Sequence, residues 1–247
     1  MTEECRDSQF SSEASLRRHL VWAALLLLLS IAALPFDVAV AAFHESKMLP
    51  GDFRRAVVLS EVFAHGFGLI VIMVSIWLFA PDLRRHLVRL ALCGVLAAAV
   101  AQLLKLIFAR LRPAAYRNLA HQLELPDSIT ATWTEIDQPL HAGQVGISYF
   151  VQSFPSAHSA MAVGVAAGLC YLLPRGRWLF VALAILACYQ RIQCQAHWTS
   201  DVFAGAAIGN LVAGLLLQGW GLGWVLARYE NGAILPSKSR VNQNEIS

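Results

Sequence analysis

Residues 87–113 read LVRLALCGVLAAAVAQLLKLIFARLRP. From about Leu87 to Phe108 this run is apolar and long enough to cross a hydrocarbon core, which takes about 20 such residues in a helix. Working outward, five further stretches qualify or nearly do: Leu20 to about Phe36, Val57 to Phe79, Ser156 to Leu173, Trp178 to Gln193 and Thr199 to Trp220. Of 247 residues, 57% are hydrophobic and 14% are charged, against roughly 25% charged in an average soluble domain. That balance excludes a disordered chain and speaks against an ordinary soluble enzyme. The net charge of +3 is too small to argue for nucleic acid. Five cysteines with no C-x-x-C spacing suggest neither a disulfide framework nor a zinc site. The expected fold is all-α and polytopic. Six transmembrane helices flank a long extracytoplasmic loop, about Pro113 to Gln152, between spans three and four.

Loop charge sets the orientation, because cytoplasmic loops carry the excess of lysine and arginine. With the N-terminus inside, Arg6, Arg17, Arg18, Arg84, Arg85, Arg89, Arg175, Arg177, Arg228, Lys238 and Arg240 face the cytoplasm. Lys47, Arg54, Arg55, Lys105, Arg110, Arg112, Arg117 and Arg191 face the other side. Trp22, Trp77, Trp178, Trp198, Trp220 and Trp224 fall near span ends, as interfacial aromatics do. The first span also fits a signal peptide, with Arg17-Arg18 as its charged start and Ala39-Val40-Ala41 as a small-residue cleavage pattern. Its length, and Asp37 with His44-Glu45 beyond it, favour a retained span.

Ionisable groups within or beside spans are costly and mark function by default. Three clusters of them map to one face. Lys105 and Arg112 are seven apart, nearly one stripe of a helix and about 10 Å along its axis. Pro113 ends that helix. Two cations on one stripe suit an anion, although alone they also suit snorkelling to headgroups. The second cluster, Ser153-Phe-Pro-Ser156-Ala157-His158-Ser159, reads as a helix start whose free N–H groups and dipole favour an anion. Ser156 adds a hydroxyl, and His158 is placed to donate a proton. The third runs from Arg191 to Asp201. His197 and Asp201 are four apart, on one helical face, where a carboxylate orients an imidazole for use as a base or nucleophile. Arg191 adds a third cation with a planar fork. Three cations, a helix start and two histidines on one side point to phosphate.

These residues resemble the type 2 phosphatidic acid phosphatase family, relatives of bacterial acid phosphatases and vanadium haloperoxidases. The family pattern is K-x6-R-P, P-S-G-H and S-R-x5-H-x3-D. Lys105, Arg112 and Pro113 match the first part. Pro155, Ser156 and His158 match the second, with Ala157 for glycine. Arg191, His197 and Asp201 match the third, with Gln190 for serine.

The resemblance implies metal-free hydrolysis of a lipid phosphate or pyrophosphate on the extracytoplasmic side, with no cofactor. Lys105, Arg112, Ser156, Ala157 and Arg191 would hold the phosphoryl oxygens. His197 would attack phosphorus to form a phosphohistidine, with Asp201 orienting it, and His158 would protonate the leaving alcohol. A bell-shaped pH profile follows from a neutral His197 and a protonated His158.

Residues 1–19 are expected as a cytoplasmic segment, 20–224 as the six-span phosphatase domain and 225–247 as a cytoplasmic polar tail. The expected location is a bacterial inner membrane with the site facing the periplasm. The expected partners are the bilayer and a lipid phosphate, not nucleic acid. A lipid phosphotransferase using the same site, and a non-catalytic phospholipid- or anion-binding membrane protein, are the alternatives. Gly164-x3-Gly168 and Gly205-x3-Gly209 have the small-residue spacing of closely packed membrane helices.

Overall fold

The structure is a computed structural model that describes residues 3–46, 49–123, 132–133, 152–218 and 221–232. Among these residues there are ten α-helices and no strands. In chain order they are α1 (Glu3–Ala33), α2 (Asp37–Ser46), α3 (Gly51–Leu59), α4 (Gly66–Phe79), α5 (Leu87–Leu104), α6 (Pro113–Leu123), α7 (Ala157–Leu172), α8 (Arg177–Gln193), α9 (Thr199–Leu217) and α10 (Leu222–Glu230). Most of the expected Pro113–Gln152 loop lies outside the described residues, but its first eleven residues form α6.

Three helical segments are long and apolar enough to cross a membrane: Leu16–Ser46, Pro81–Leu104 and Thr199–Leu217. A fourth counts if Gly51–Ala64 and Gly66–Phe79 are one broken span, and Ala157–Leu172 is a shorter apolar helix. The sequence reads Val57 to Phe79 as one continuous run. The structure instead bends it by 75° at His65. Glu61 and His65 are the ionisable residues within this stretch. Gly68 lets the chain fold back tightly, since a Cβ there would meet the Val62 carbonyl oxygen at 1.9 Å.

The centre of the molecule is α7, which packs against α5, α8 and α9, while α1 lies along α9. Small residues make this possible. A methyl group at Gly164 would stand 2.1 Å from the Cys93 carbonyl oxygen of α5. One at Gly205 would stand 2.2 Å from the Ser156 carbonyl oxygen. Without hydrophobic drive between helices in lipid, such backbone approach is what dispersion and weak polar contacts require. Ala97, Ala101, Ala160 and Ala213 fill one interhelical seam, and Leu90, Val165, Leu169 and Ala187 fill another. Large apolar side chains point outward, including Leu28, Phe67, Phe79, Trp178 and Leu179. In water a belt of this kind would drive aggregation, and in a bilayer it is the outer wall.

At the end of the bundle formed by the start of α5 and the finish of α9, Arg89 is buried. It donates to both oxygens of Glu230 at 2.7 and 2.8 Å and to the Leu216 carbonyl at 2.7 Å. This pair ties α10 to α5 and α9. The opposite end, where α5 and α8 finish and α7 and α9 begin, carries the three clusters.

Candidate active site

Lys105 follows the last residue of α5, and Arg112 precedes α6. Ser156 caps α7, and His158 lies in its first turn. Arg191 is in the last turn of α8, His197 is in the α8–α9 connection, and Asp201 is in the first turn of α9. Lys105, Ser156, Arg191, His197 and Asp201 are all buried. Lys105 lies within electrostatic reach of Arg112, Arg191 and Asp201, and His197 within reach of Lys105 and Arg112. His158 lies within reach of Arg191 and His197. Residues up to 96 positions apart thus come within electrostatic reach of one another (Lys105 to Asp201). Three cations packed together repel one another, and an anion with several negative oxygens relieves that repulsion.

The Ser156 hydroxyl oxygen accepts from the Ser159 backbone N–H at 3.3 Å and from the Ser159 hydroxyl at 2.9 Å. A hydroxyl that accepts twice still has one proton to donate. Ala157 is the first residue of α7 and is not among the residues of positive φ. The glycine of the motif is therefore dispensable here on backbone grounds, because alanine suits the conformation and keeps the N–H.

His197 is held differently from the sequence expectation. Its Nδ1 donates to the Ser153 carbonyl at 2.7 Å, while the nearest Asp201 oxygen is 3.8 Å away. The outcome for the ring is the one expected: the proton sits on Nδ1, and Nε2 keeps its lone pair. Burial is the main cause that pushes the imidazole down to about 4, with Lys105 and Arg112 pushing the same way and Asp201 opposing. The ring is neutral at pH 7.

Asp201 is itself heavily bonded. One oxygen accepts from Arg110 at 2.5 Å, and the other accepts from the Ser153 hydroxyl at 2.5 Å and the Trp198 backbone N–H at 3.0 Å. Arg110, fully buried, also donates to Asp37 at 2.8 Å and to the Ser200 hydroxyl at 2.7 Å. It lies between the Trp133 and Trp198 rings, 4.8 and 5.3 Å from their centroids. Asp37 in turn accepts from the Ser200 backbone N–H at 3.0 Å. Sequence reasoning gave no role in the site to Arg110, Asp37, Ser153 or Ser200. A carboxylate just past an apolar run and an arginine inside the K-x6-R-P window were the available signals.

Gln190 stands where the motif has serine, and its amide is engaged by neighbouring side chains. Its nitrogen donates to Glu61 at 3.0 Å, and its oxygen accepts from the Arg191 Nε at 2.5 Å. Glu61 also pairs with Arg191 at 2.7 Å. Beside them the Nε2 atoms of His65 and His158 are 3.3 Å apart. Both Glu61 and His65 come from the bend between α3 and α4, which the sequence reading treated as membrane span.

Comparison with known proteins bears on the family and the fold. The sequence profile of the PAP2 superfamily matches residues 86–224. An 87-residue stretch is 37% identical to lipid A 1-phosphatase of Rhizobium johnstonii, covering 31% of this chain and 36% of that protein. The lipid A 1-phosphatase of Rhizobium etli is also 37% identical over 87 residues, covering 31% of this chain and 38% of the relative. The matches thus span under two fifths of these relatives' lengths. The crystal structure of a PAP2-type transmembrane phosphatidylglycerolphosphate phosphatase from Bacillus subtilis superposes with a TM-score of 0.50 at 16% identity. That alignment covers 90% of this chain and 96% of the other, a likeness of fold. With the profile match running from the start of α5 past the end of α9, the chain belongs to the PAP2 superfamily.

Proposed function

We propose that this protein is an integral-membrane phosphatase that hydrolyses a lipid phosphate or pyrophosphate through a phosphohistidine on His197. The observation that carries this reading is a buried imidazole whose Nδ1 is held by the Ser153 carbonyl, with Lys105 and Arg112 within electrostatic reach. Phosphoryl transfer depends mainly on positioning and charge stabilisation, which such a cage supplies. The catalytic unit is residues 20–224, folded as six spans with the cage at the extracytoplasmic surface. Residues 1–19 and 225–247 are on the cytoplasmic side.

In the first step the Nε2 lone pair of His197 bonds to phosphorus, and the bond from phosphorus to the lipid oxygen breaks. His158 gives its proton to that oxygen, so the lipid leaves as an alcohol or as a shorter phosphate. The positive charge formed on the ring is stabilised through its Nδ1–H by the Ser153 carbonyl and by Asp201. Lys105, Arg112, Arg191, the Ser156 hydroxyl and the Ala157 N–H hold the phosphoryl oxygens throughout. In the second step water gives a proton to His158 and attacks the phosphohistidine, releasing phosphate. No step requires a metal ion.

The names of the Rhizobium relatives make lipid A carrying a 1-phosphate a substrate to test beside phosphatidic acid, phosphatidylglycerol phosphate and a polyprenyl pyrophosphate. The test is phosphate release from this panel in detergent by wild type and His197→Ala. Release by the wild type alone, with acid-labile labelling of the protein by a radioactive phosphoryl group, is the expected result. Equal release by both proteins would falsify the assignment of the nucleophile. Vanadate, a phosphate mimic, is expected to inhibit.

A further inference from the structure

Glu61, His65 and His158 each offer one ligand atom, and these atoms lie within 4.8 Å of one another. We propose that they form a binding site for a zinc-class divalent cation. The spacing carries the argument. A tetrahedral ion with bonds of about 2.0–2.1 Å to nitrogen and oxygen holds its ligand atoms about 3.3 Å apart. The Nε2 of His65 is 3.2 Å from the near oxygen of Glu61 and 3.3 Å from the Nε2 of His158. Two imidazoles and one carboxylate are a zinc donor set, with the fourth position left to water or a phosphate oxygen. Imidazole nitrogen selects zinc, cobalt, nickel or copper over magnesium and calcium.

The support around the ligands also fits. Gln190 donates to the far oxygen of Glu61 at 3.0 Å, and Arg191 donates to the near one at 2.7 Å. Such outer partners orient a ligating carboxylate. Glu61 offsets the charge of Arg191, so the ion does not meet an uncompensated cation. His65 is half exposed, which leaves the site open to an ion from solution. Gln190, the residue that departs from the family motif, thus has a role as a brace for Glu61.

The consequence rests on the reading of His158 as the proton donor. A metal ion on its Nε2 occupies the atom that must protonate the leaving group. The ion therefore inhibits, and activity persists in a chelator.

The test uses the purified full chain in detergent and cobalt(II) alone. One equivalent per chain is expected to develop the intense visible bands of tetrahedral cobalt, and zinc is expected to displace it. His65→Ala and Glu61→Gln are each expected to weaken binding at least about tenfold, since even outer-shell losses cost 10–100-fold. His65→Cys retains a ligand and is expected to bind cobalt with an added thiolate charge-transfer band. In wild type and variants that release phosphate, the zinc concentration for half-inhibition is expected to shift in step with cobalt affinity.

Absent visible bands, weak bands of six-coordinate cobalt, or a titration unchanged in His65→Ala would overturn the site. So would a His65→Cys protein that binds cobalt without the thiolate band. Wild type that releases no phosphate from any lipid in the panel refutes the proposed activity, while the cobalt titration still decides the site.

Discussion

His197 has its Nδ1 proton on a backbone carbonyl, with Asp201 a second neighbour at 3.8 Å. The tautomer therefore survives loss of the carboxylate. Asp201→Asn is expected to lower kcat by about 10²–10³-fold, short of the roughly 10⁴-fold seen where a triad aspartate alone fixes the tautomer. Single-turnover phosphate release measures it, and a loss equal to that of His197→Ala would refute the shared role.

The depressed value of about 4 for His197 sets the acid side of the pH profile. Protonation removes the attacking lone pair, so activity is full with respect to this group above the folded value and falls as pH drops through it. The limb of kcat/KM due to His197 is thus expected near pH 4, well below an ordinary histidine near 6.5. An acid-side limb near 6.5 in place of one near 4 would refute this reading of His197.

Arg110 is a positioning residue, since it touches Asp201 and Asp37 and not the phosphate cage directly. Arg110→Met leaves two buried carboxylates unpaired, a loss of about 3–5 kcal/mol. The fall in thermal midpoint in detergent reads this, and adding Asp37→Asn is expected to restore part of it. A pair of additive single effects would count against a shared network.

The bundle depends on where its helices can touch. Gly205 brings the start of α9 onto the carbonyl of Ser156, and that contact sets Asp201 against the N-terminus of α7. The same closeness lets the Ser156 N–H donate to the Asp201 carbonyl at 3.0 Å. Gly205→Ala puts a methyl group against backbone that cannot rotate away. It is expected to cost about 1–3 kcal/mol of stability and to reduce activity as well, because these two helices carry Ser156, His158 and Asp201. Gly51→Ala, with nothing within 4 Å of its added methyl, is the matched control and is expected to leave both unchanged. The bend at His65 is a second contribution at this scale, because a straight helix through residues 57–79 would carry Glu61 and His65 along the span. Bent, it delivers both to Arg191 and His158.

For the whole molecule, the first helices are part of the site. The matched region begins at residue 86, yet Asp37 is bonded to Arg110 and Ser200 beside Asp201. Removal of residues 1–46 is expected to abolish activity beyond what loss of expression explains. Co-expressing the missing segment, or Asp37→Asn in the full chain, separates the loss of a span from the loss of a carboxylate. If the cage faces outward, Cys194, an exposed thiol three residues before His197, is expected to react with an impermeant maleimide applied from outside. Cys5 is not.

Span-length apolar runs, the helix start at Ser156 and the three charged motifs could be read from the chain alone. Each rests on local physics: the length of a helix in lipid, the orphan N–H groups at a helix start, and the cost of a charge beside a membrane. Those same constraints single out the residues proposed to bind phosphate. What only tertiary structure decided was the set of partners. Asp37 with Arg110, Ser153 with His197, and Gln190 with Glu61 are joined across 73, 44 and 129 positions respectively. No periodicity relates residues so far apart. They meet because small side chains let α5, α7, α8 and α9 close on one another, and burial then forces every remaining polar atom to find a partner from whichever helix lies nearest.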